Sequence, residues 1–286
     1  MPKIKTTDGT QLYYEEAGTG TPVVFVHEFA GDYRTWEPQM RRFSRSYRCV
    51  TYSQRGYPPS DIPDDPARYG QDIARGDAIA LMDALGIAKA HVVGHSMGAY
   101  TSLHVGLRHP ERCLSVTAAG CGWGSVPDPA ARDAMRAQAL ENSKMFIEKG
   151  MTEAAAIYTN TPSRLSQKFK DPRGFAHFVG MLSEHSALGH SLTMARLQSK
   201  RPNLWDMEVD LKTFSVPLLV ICGDEDETCL DGSVFLKRTV PTAGLLVIPR
   251  TGHTITSEEP AAVNAALAEL FAAAETGRWL AHKPPA

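Results

Sequence analysis

Short, uninterrupted apolar runs recur towards both ends of the chain. Pro22-Val-Val-Phe-Val-His27, Arg48-Cys-Val-Thr-Tyr52, His91-Val-Val-Gly94, Leu114-Ser-Val-Thr-Ala-Ala119, Val216-Pro-Leu-Leu-Val-Ile-Cys222 and Leu245-Leu-Val-Ile248 each read as a strand covered on both faces, as a parallel sheet requires. Between them, apolar residues fall at helical spacing over residues 33–43, over Ala74, Ala78, Leu81, Met82 and Leu85 up to the stop at Gly86, over a stretch ending near Arg108, and over residues 233–239 and 258–273. Near the N-terminus, Thr7-Asp8-Gly9 joins Ile4-Lys5 to residues 11–16 as a hairpin, since an Asp-Gly pair accepts the positive φ of a tight turn. This cadence predicts an α/β fold with a mostly parallel sheet and right-handed crossovers. It breaks over residues 124–214, where 131–149, 152–158, 174–185 and 191–199 read as helices and no strand stands out. One core built from 1–123 and 215–286, interrupted by a helical segment 124–214, accounts for the pattern better than two tandem domains. The tail Lys283-Pro-Pro-Ala286 is expected to fray.

Composition narrows the partners. With 30 Lys+Arg against 32 Asp+Glu the net charge is −2, which argues against a nucleic-acid binder or a membrane-surface protein. A chain 43% hydrophobic and 22% charged has ample material for a core and is not disordered. Five cysteines, an odd number without Cys-x-x-Cys spacing, suggest reduced thiols rather than disulfides or a zinc site. No apolar run approaches the roughly 18 residues of a membrane span. A soluble, cytoplasmic protein acting on a small molecule is the expectation, with no nucleic-acid or membrane partner; a homo-oligomer is compatible with the sequence. A P-loop and a G-x-G-x-x-G turn after a strand are both missing, so neither a nucleotide cofactor nor a metal is expected.

The chemistry concentrates in three segments. Gly94-His95-Ser96-Met97-Gly98 is a G-x-S-x-G turn between a predicted strand and a predicted helix. Such a sharp turn lifts the serine Oγ above the sheet, its glycines avoid Cβ clashes, and the helix N-terminus favours developing negative charge. A serine is a weak nucleophile, so a base must take its proton and a third group must orient that base. Gly252-His253 follows the strand ending at Ile248, and Gly223-Asp224-Glu225-Asp226 follows the strand ending at Cys222. Both loops belong on the carboxyl edge of the sheet, the edge that carries Ser96. His253 is the expected base, while Asp224 and Asp226 compete for the orienting role.

The order Ser96, Asp226, His253 resembles the α/β-hydrolase superfamily, specifically its capped esterase and C–C hydrolase members. The resemblance implies an eight-stranded α/β-hydrolase sheet with helices on both faces, and a helical cap between the strand near Ala119 and the strand at Val216. The family pattern G-x-x-D selects Asp226 over Asp224 as the triad acid. The oxyanion hole would use the backbone N–H of Met97 and of Phe29, the latter by its place in His27-Glu28-Phe29, where a glycine usually stands at Glu28. Glu28 is expected to turn away and pair with Arg34 or Arg55, or else to contact substrate. Gln54-Arg55-Gly56-Tyr57-Pro58-Pro59-Ser60-Asp61 matches the family's Arg-Gly-x-Gly-x-Ser loop except at Pro58, and is expected to brace the oxyanion segment. Trp123, Phe146, Tyr158, Phe178, Met181, Leu182, His185, Met194 and Leu197 are candidate pocket residues, with Glu28, Trp123, Tyr158, His185 and Met194 the foremost substrate contacts; His185 and His190 are otherwise expected on the surface. A serine at the elbow disfavours dehalogenase and epoxide hydrolase chemistry. Hydrolysis of an ester, thioester or lactone through an acyl-enzyme leads. C–C cleavage of a diketone, haloperoxidase-like perhydrolysis and a ligand-receptor role are the alternatives.

Overall fold

A computed structural model describes residues 1–282, so the expected fraying of residues 283–286 lies outside the described residues. Eight strands, β1 (Lys3–Lys5), β2 (Gln11–Ala17), β3 (Pro22–Val26), β4 (Arg48–Tyr52), β5 (Ala90–His95), β6 (Cys113–Ala119), β7 (Leu218–Gly223) and β8 (Ala243–Ile248), form one sheet. Their order is β1-β2-β4-β3-β5-β6-β7-β8. From β4 to β8 every neighbouring pair is parallel, while β1 and β2 join antiparallel at one edge. The chain leaves β3 towards β4 on one side and returns to β5 on the other, so the crevice above β3 and β5 is a topological switch point. In open α/β sheets that is where ligands bind.

The apolar runs behave as buried parallel strands should, feeding alternate side chains into two cores. Val24, Val26, Val92, Val116, Ala118 and Val220 face helices α2 (Gln71–Ala84) and α3 (Met97–Arg108), following α1 (Glu37–Phe43) in the chain. Val23, Phe25, Val93, Ala119 and Ile221 face Met40 and Phe43 of α1 and the C-terminal helix. That helix and the segments before it are α4 (Pro129–Thr159), α5 (Pro162–Lys170), α6 (Pro172–Ser183), α7 (Ala187–Thr193), α8 (Glu208–Lys212), α9 (Glu227–Thr239), α10 (Ile255–Glu258) and α11 (Pro260–Glu275).

Residues 124–214 contain helices and no strand. Gly150, at φ 69°, breaks α4 in two, and the expected helices 131–149 and 152–158 meet there. Helix α5 has no counterpart in the sequence reading. Its buried residues are Arg164, Ser166 and Gln167, so its inward face is polar and offers no apolar stripe to mark it. Among the described residues no helix is long and apolar enough to cross a membrane.

Candidate active site

Ser96 follows β5 directly and caps α3 at φ 52°, ψ −110°. Only Ser96 and Arg250 are non-glycine residues at positive φ among the described residues, and such strain persists only where its surroundings impose it. The flanking glycines supply that constraint by close approach. A Cβ on Gly94 would overlap the Gly98 carbonyl, and one on Gly98 would overlap the Val26 carbonyl. The Ser96 N–H is tied to the Ala119 carbonyl at 2.7 Å.

The three residues singled out in sequence meet here. Ser96 Oγ donates to His253 Nε2 at 2.8 Å, and His253 Nδ1 donates to an Asp226 carboxylate oxygen at 2.6 Å. Asp226 is fully buried, and Ser96 and His253 are each only 7% exposed. Burial alone would raise the Asp226 pKa, but the adjoining imidazole, with help from Cys229 and Thr228, holds the carboxyl below its ordinary value. Asp224 is occupied elsewhere: its carboxylate accepts the Thr251 N–H at 3.2 Å and staples the β7 loop to the His253 loop. The geometry therefore pairs His253 with Asp226.

Phe29 and Met97, the candidate oxyanion donors, are 1% and 0% exposed, and among the described residues neither backbone N–H has a protein acceptor. The strand-end segment carrying Phe29 is braced as expected. The Gln54 N–H donates to His27 Nε2, Gln54 Nε2 donates to the His27 carbonyl, and His27 Nδ1 donates to the Glu28 carbonyl. Ser60 Oγ donates to the Ser53 carbonyl and Arg55 to that of Arg68.

Glu28 departs from expectation in its partner. Arg34 pairs with Asp32 and Glu184, and Arg55 with Asp77 and Asp8. The Glu28 carboxylate instead meets Arg164 of α5 at 2.5 Å, with both side chains under 5% exposed. Burial would raise the Glu28 pKa, yet the Arg164 guanidinium, aided by His95 and His253, pulls it down to about 2. Glu28 is not at positive φ, so this backbone does not demand the usual glycine. Helix α5 also reaches His253, since the Ser163 carbonyl accepts the His253 N–H at 2.6 Å. Sequence reading missed Arg164; the proline at Pro162 opening the helix was its one local signal.

The remaining candidates divide. Met97, Phe146, Phe178, Met181, Leu182, Met194 and Leu197 form one buried cluster with Phe29 and Tyr57, and Trp123 and Tyr158 pack against it. Tyr158 lies 5.4 Å from the Phe29 ring, with the Arg164 guanidinium over its face at 5.6 Å. His185 and His190 are not on the surface but 7% and 0% exposed. Polar ties explain this: His185 Nε2 meets Asp32 at 3.0 Å and its Nδ1 meets His190 at 3.5 Å, so both His185 nitrogens already have protein partners.

The strained serine at the switch point, its histidine and the buried aspartate sit in a chain that belongs to the alpha/beta hydrolase fold family, whose model matches residues 21–260. A protein of Caulobacter sp. (strain K31) named as a candidate carbamate hydrolase, RutD, is 29% identical over 272 residues, covering 92% of this chain and 95% of its own. The 3-oxoadipate enol-lactonase 1 of Acinetobacter baylyi is 27% identical, covering 83% and 84%. Among solved structures, a thermophilic esterase from Thermogutta terrifontis superposes with TM-score 0.81 at 24% identity over 96% of this chain and 98% of that one. The chain is thus an alpha/beta hydrolase.

Proposed function

We propose that this hydrolase cleaves a small carboxylic ester, thioester or lactone through an acyl-enzyme on Ser96. The observation that carries the reading is the continuous hydrogen-bonded line from Ser96 Oγ through His253 to Asp226. His253 Nε2 takes the hydroxyl proton as Oγ attacks the carbonyl carbon, and the imidazolium then protonates the leaving oxygen or sulfur. Water enters, gives its proton to the same nitrogen, and attacks the acyl-enzyme, which releases the acid and restores Ser96. Asp226 keeps the imidazole in the tautomer that leaves Nε2 free to accept. The N–H groups of Phe29 and Met97 receive the oxyanion, a role their lack of protein acceptors suits.

Glu28 is compatible with that hole because Arg164 cancels its charge. Residues 124–214 act as a cap, whose apolar cluster over Phe29 and Met97 favours an apolar acyl or alcohol portion and excludes water. The enol-lactonase and carbamate hydrolase names of the relatives suit acyl transfer as the reaction class. The test is stopped-flow hydrolysis of short p-nitrophenyl esters. A stoichiometric burst that Ser96→Ala and His253→Ala abolish supports the proposal, while wild-type protein that binds such esters without turnover overturns it.

A further inference from the structure

Cys229 makes and breaks no bond in that acyl transfer beyond supporting the Asp226 carboxylate, yet its thiol lies inside the site. Sγ is 3.8 Å from His253 Nδ1 and donates to the Gly120 carbonyl at 3.3 Å. Donor atoms of Asp226, Cys229 and His253 all lie within 4.8 Å of one another, and all three residues are buried. Thiolate, imidazole and carboxylate together are the donor set of a zinc-like d10 cation. With bonds of about 2.3 Å to sulfur and 2.0–2.2 Å to nitrogen and oxygen, a tetrahedral ion holds S and N about 3.5 Å apart and N and O about 3.4 Å apart. The first spacing is met within a few tenths of an ångström, and the second needs the His253–Asp226 bond to open by less than about 1 Å. The Gly120 carbonyl oxygen is a fourth donor at hand.

We propose that Asp226, Cys229 and His253 form an inhibitory site for a thiophilic divalent cation such as zinc or cadmium. On binding, metal bonds form to Sγ, Nδ1 and the carboxylate. The S–H bond breaks and its proton leaves to solvent, while the Nδ1 proton moves to Nε2. The imidazole stays neutral, but a protonated Nε2 can no longer accept the Ser96 hydroxyl proton. The trio passes from a net charge of −1 to 0, which suits a buried site; the nearby Arg164 charge is already balanced by Glu28. Burial holds the Cys229 thiol well above its ordinary pKa, and direct coordination by the cation overcomes this.

The experiment titrates the purified full chain with cadmium, following the thiolate-to-metal ultraviolet band and, in parallel, ester hydrolysis. Wild type should develop the band, lose at least tenfold in rate and recover with a chelator, releasing about one proton per ion. Cys229→Ala and Cys229→Ser, each measured against its own metal-free rate, should lose the band and need at least about tenfold more cadmium to inhibit; Cys121→Ala should behave as wild type. Inhibition of both Cys229 variants at the wild-type cadmium concentration, a full band without loss of rate, or no band at millimolar cadmium overturns the proposal. Should metal-free wild type hydrolyse no ester, the acyl-transfer reading fails, and the band with its dependence on Cys229 still decides the metal site.

Discussion

Replacing Arg164 with methionine preserves most of the side-chain volume and strips Glu28 of the guanidinium it meets at 2.5 Å, at a position 1% exposed. Removing one partner of a buried pair costs about 3–5 kcal/mol, because the other charge is left uncompensated. In a chain of this size that lowers Tm by about 10 °C. The catalytic effect is separate. A bare buried carboxylate beside the proposed oxyanion hole, at an effective dielectric of about 20, raises the transition state by a few kcal/mol, so kcat should fall by roughly 10- to 100-fold with little change in KM. Glu28→Gln combined with Arg164→Met removes both charges and should regain most of the stability and rate, whereas two unrelated lesions would add. Arg164→Lys should sit between wild type and the methionine variant, since a lysine restores the charge without the two-pronged geometry. Thermal melts and steady-state kinetics on these three variants, Glu28→Gln alone and wild type suffice. An Arg164→Met protein that melts and turns over like wild type, or a double variant whose losses simply sum, refutes the coupling of this pair to the oxyanion segment.

Three further outcomes are expected. Asp226→Asn should keep the fold while slowing hydrolysis by about 10⁴, because the amide favours the wrong imidazole tautomer; a rate within tenfold of wild type in the same ester assay would contradict the role given to Asp226. Gly98→Ala places a methyl against the Val26 carbonyl and should cost more than about 3 kcal/mol or prevent folding, measurable by circular dichroism melts. Burial depresses the folded-state pKa of His27, His95 and His104 to about 4, against about 6.5 when unfolded. Below pH 6.5 the unfolded chain therefore binds more protons, so stability is complete above that pH and drains as pH falls towards 4, by up to about 3 kcal/mol per histidine. Denaturant midpoints that stay flat between pH 6.5 and 4 would refute this.

The sheet and the proposed triad were legible in the sequence for one physical reason: both leave strong local marks. A strand buried on both faces must be an apolar run, so β3 to β8 announced themselves, though β7 and β8 differ by two residues at their starts and α9 begins at Glu227 rather than near residue 233. The elbow needs glycines where backbones nearly touch, which Gly94 and Gly98 record. The partner of Glu28 left no such mark. Arg164 is 136 residues away, on a helix whose buried face is polar, and an ion pair of that sequence separation has no period to read. His185 and His190 were misread on similar grounds, since a histidine buried by hydrogen bonds to Asp32 and to its neighbour looks the same in sequence as one facing water.

Helix α5 holds the site from two sides, through the Ser163 carbonyl on the His253 N–H and through Arg164 on Glu28. This bears on how the specificity of such a protein could be re-engineered. A chimera that exchanges residues 124–214 for a relative's insertion must bring an equivalent carbonyl and an equivalent cation, or be built on Glu28→Gly; otherwise it inherits an unbalanced carboxylate beside its reaction centre. The turn from Pro162 to Arg164 should travel with the core, and so should His185, whose imidazole meets the buried Asp32.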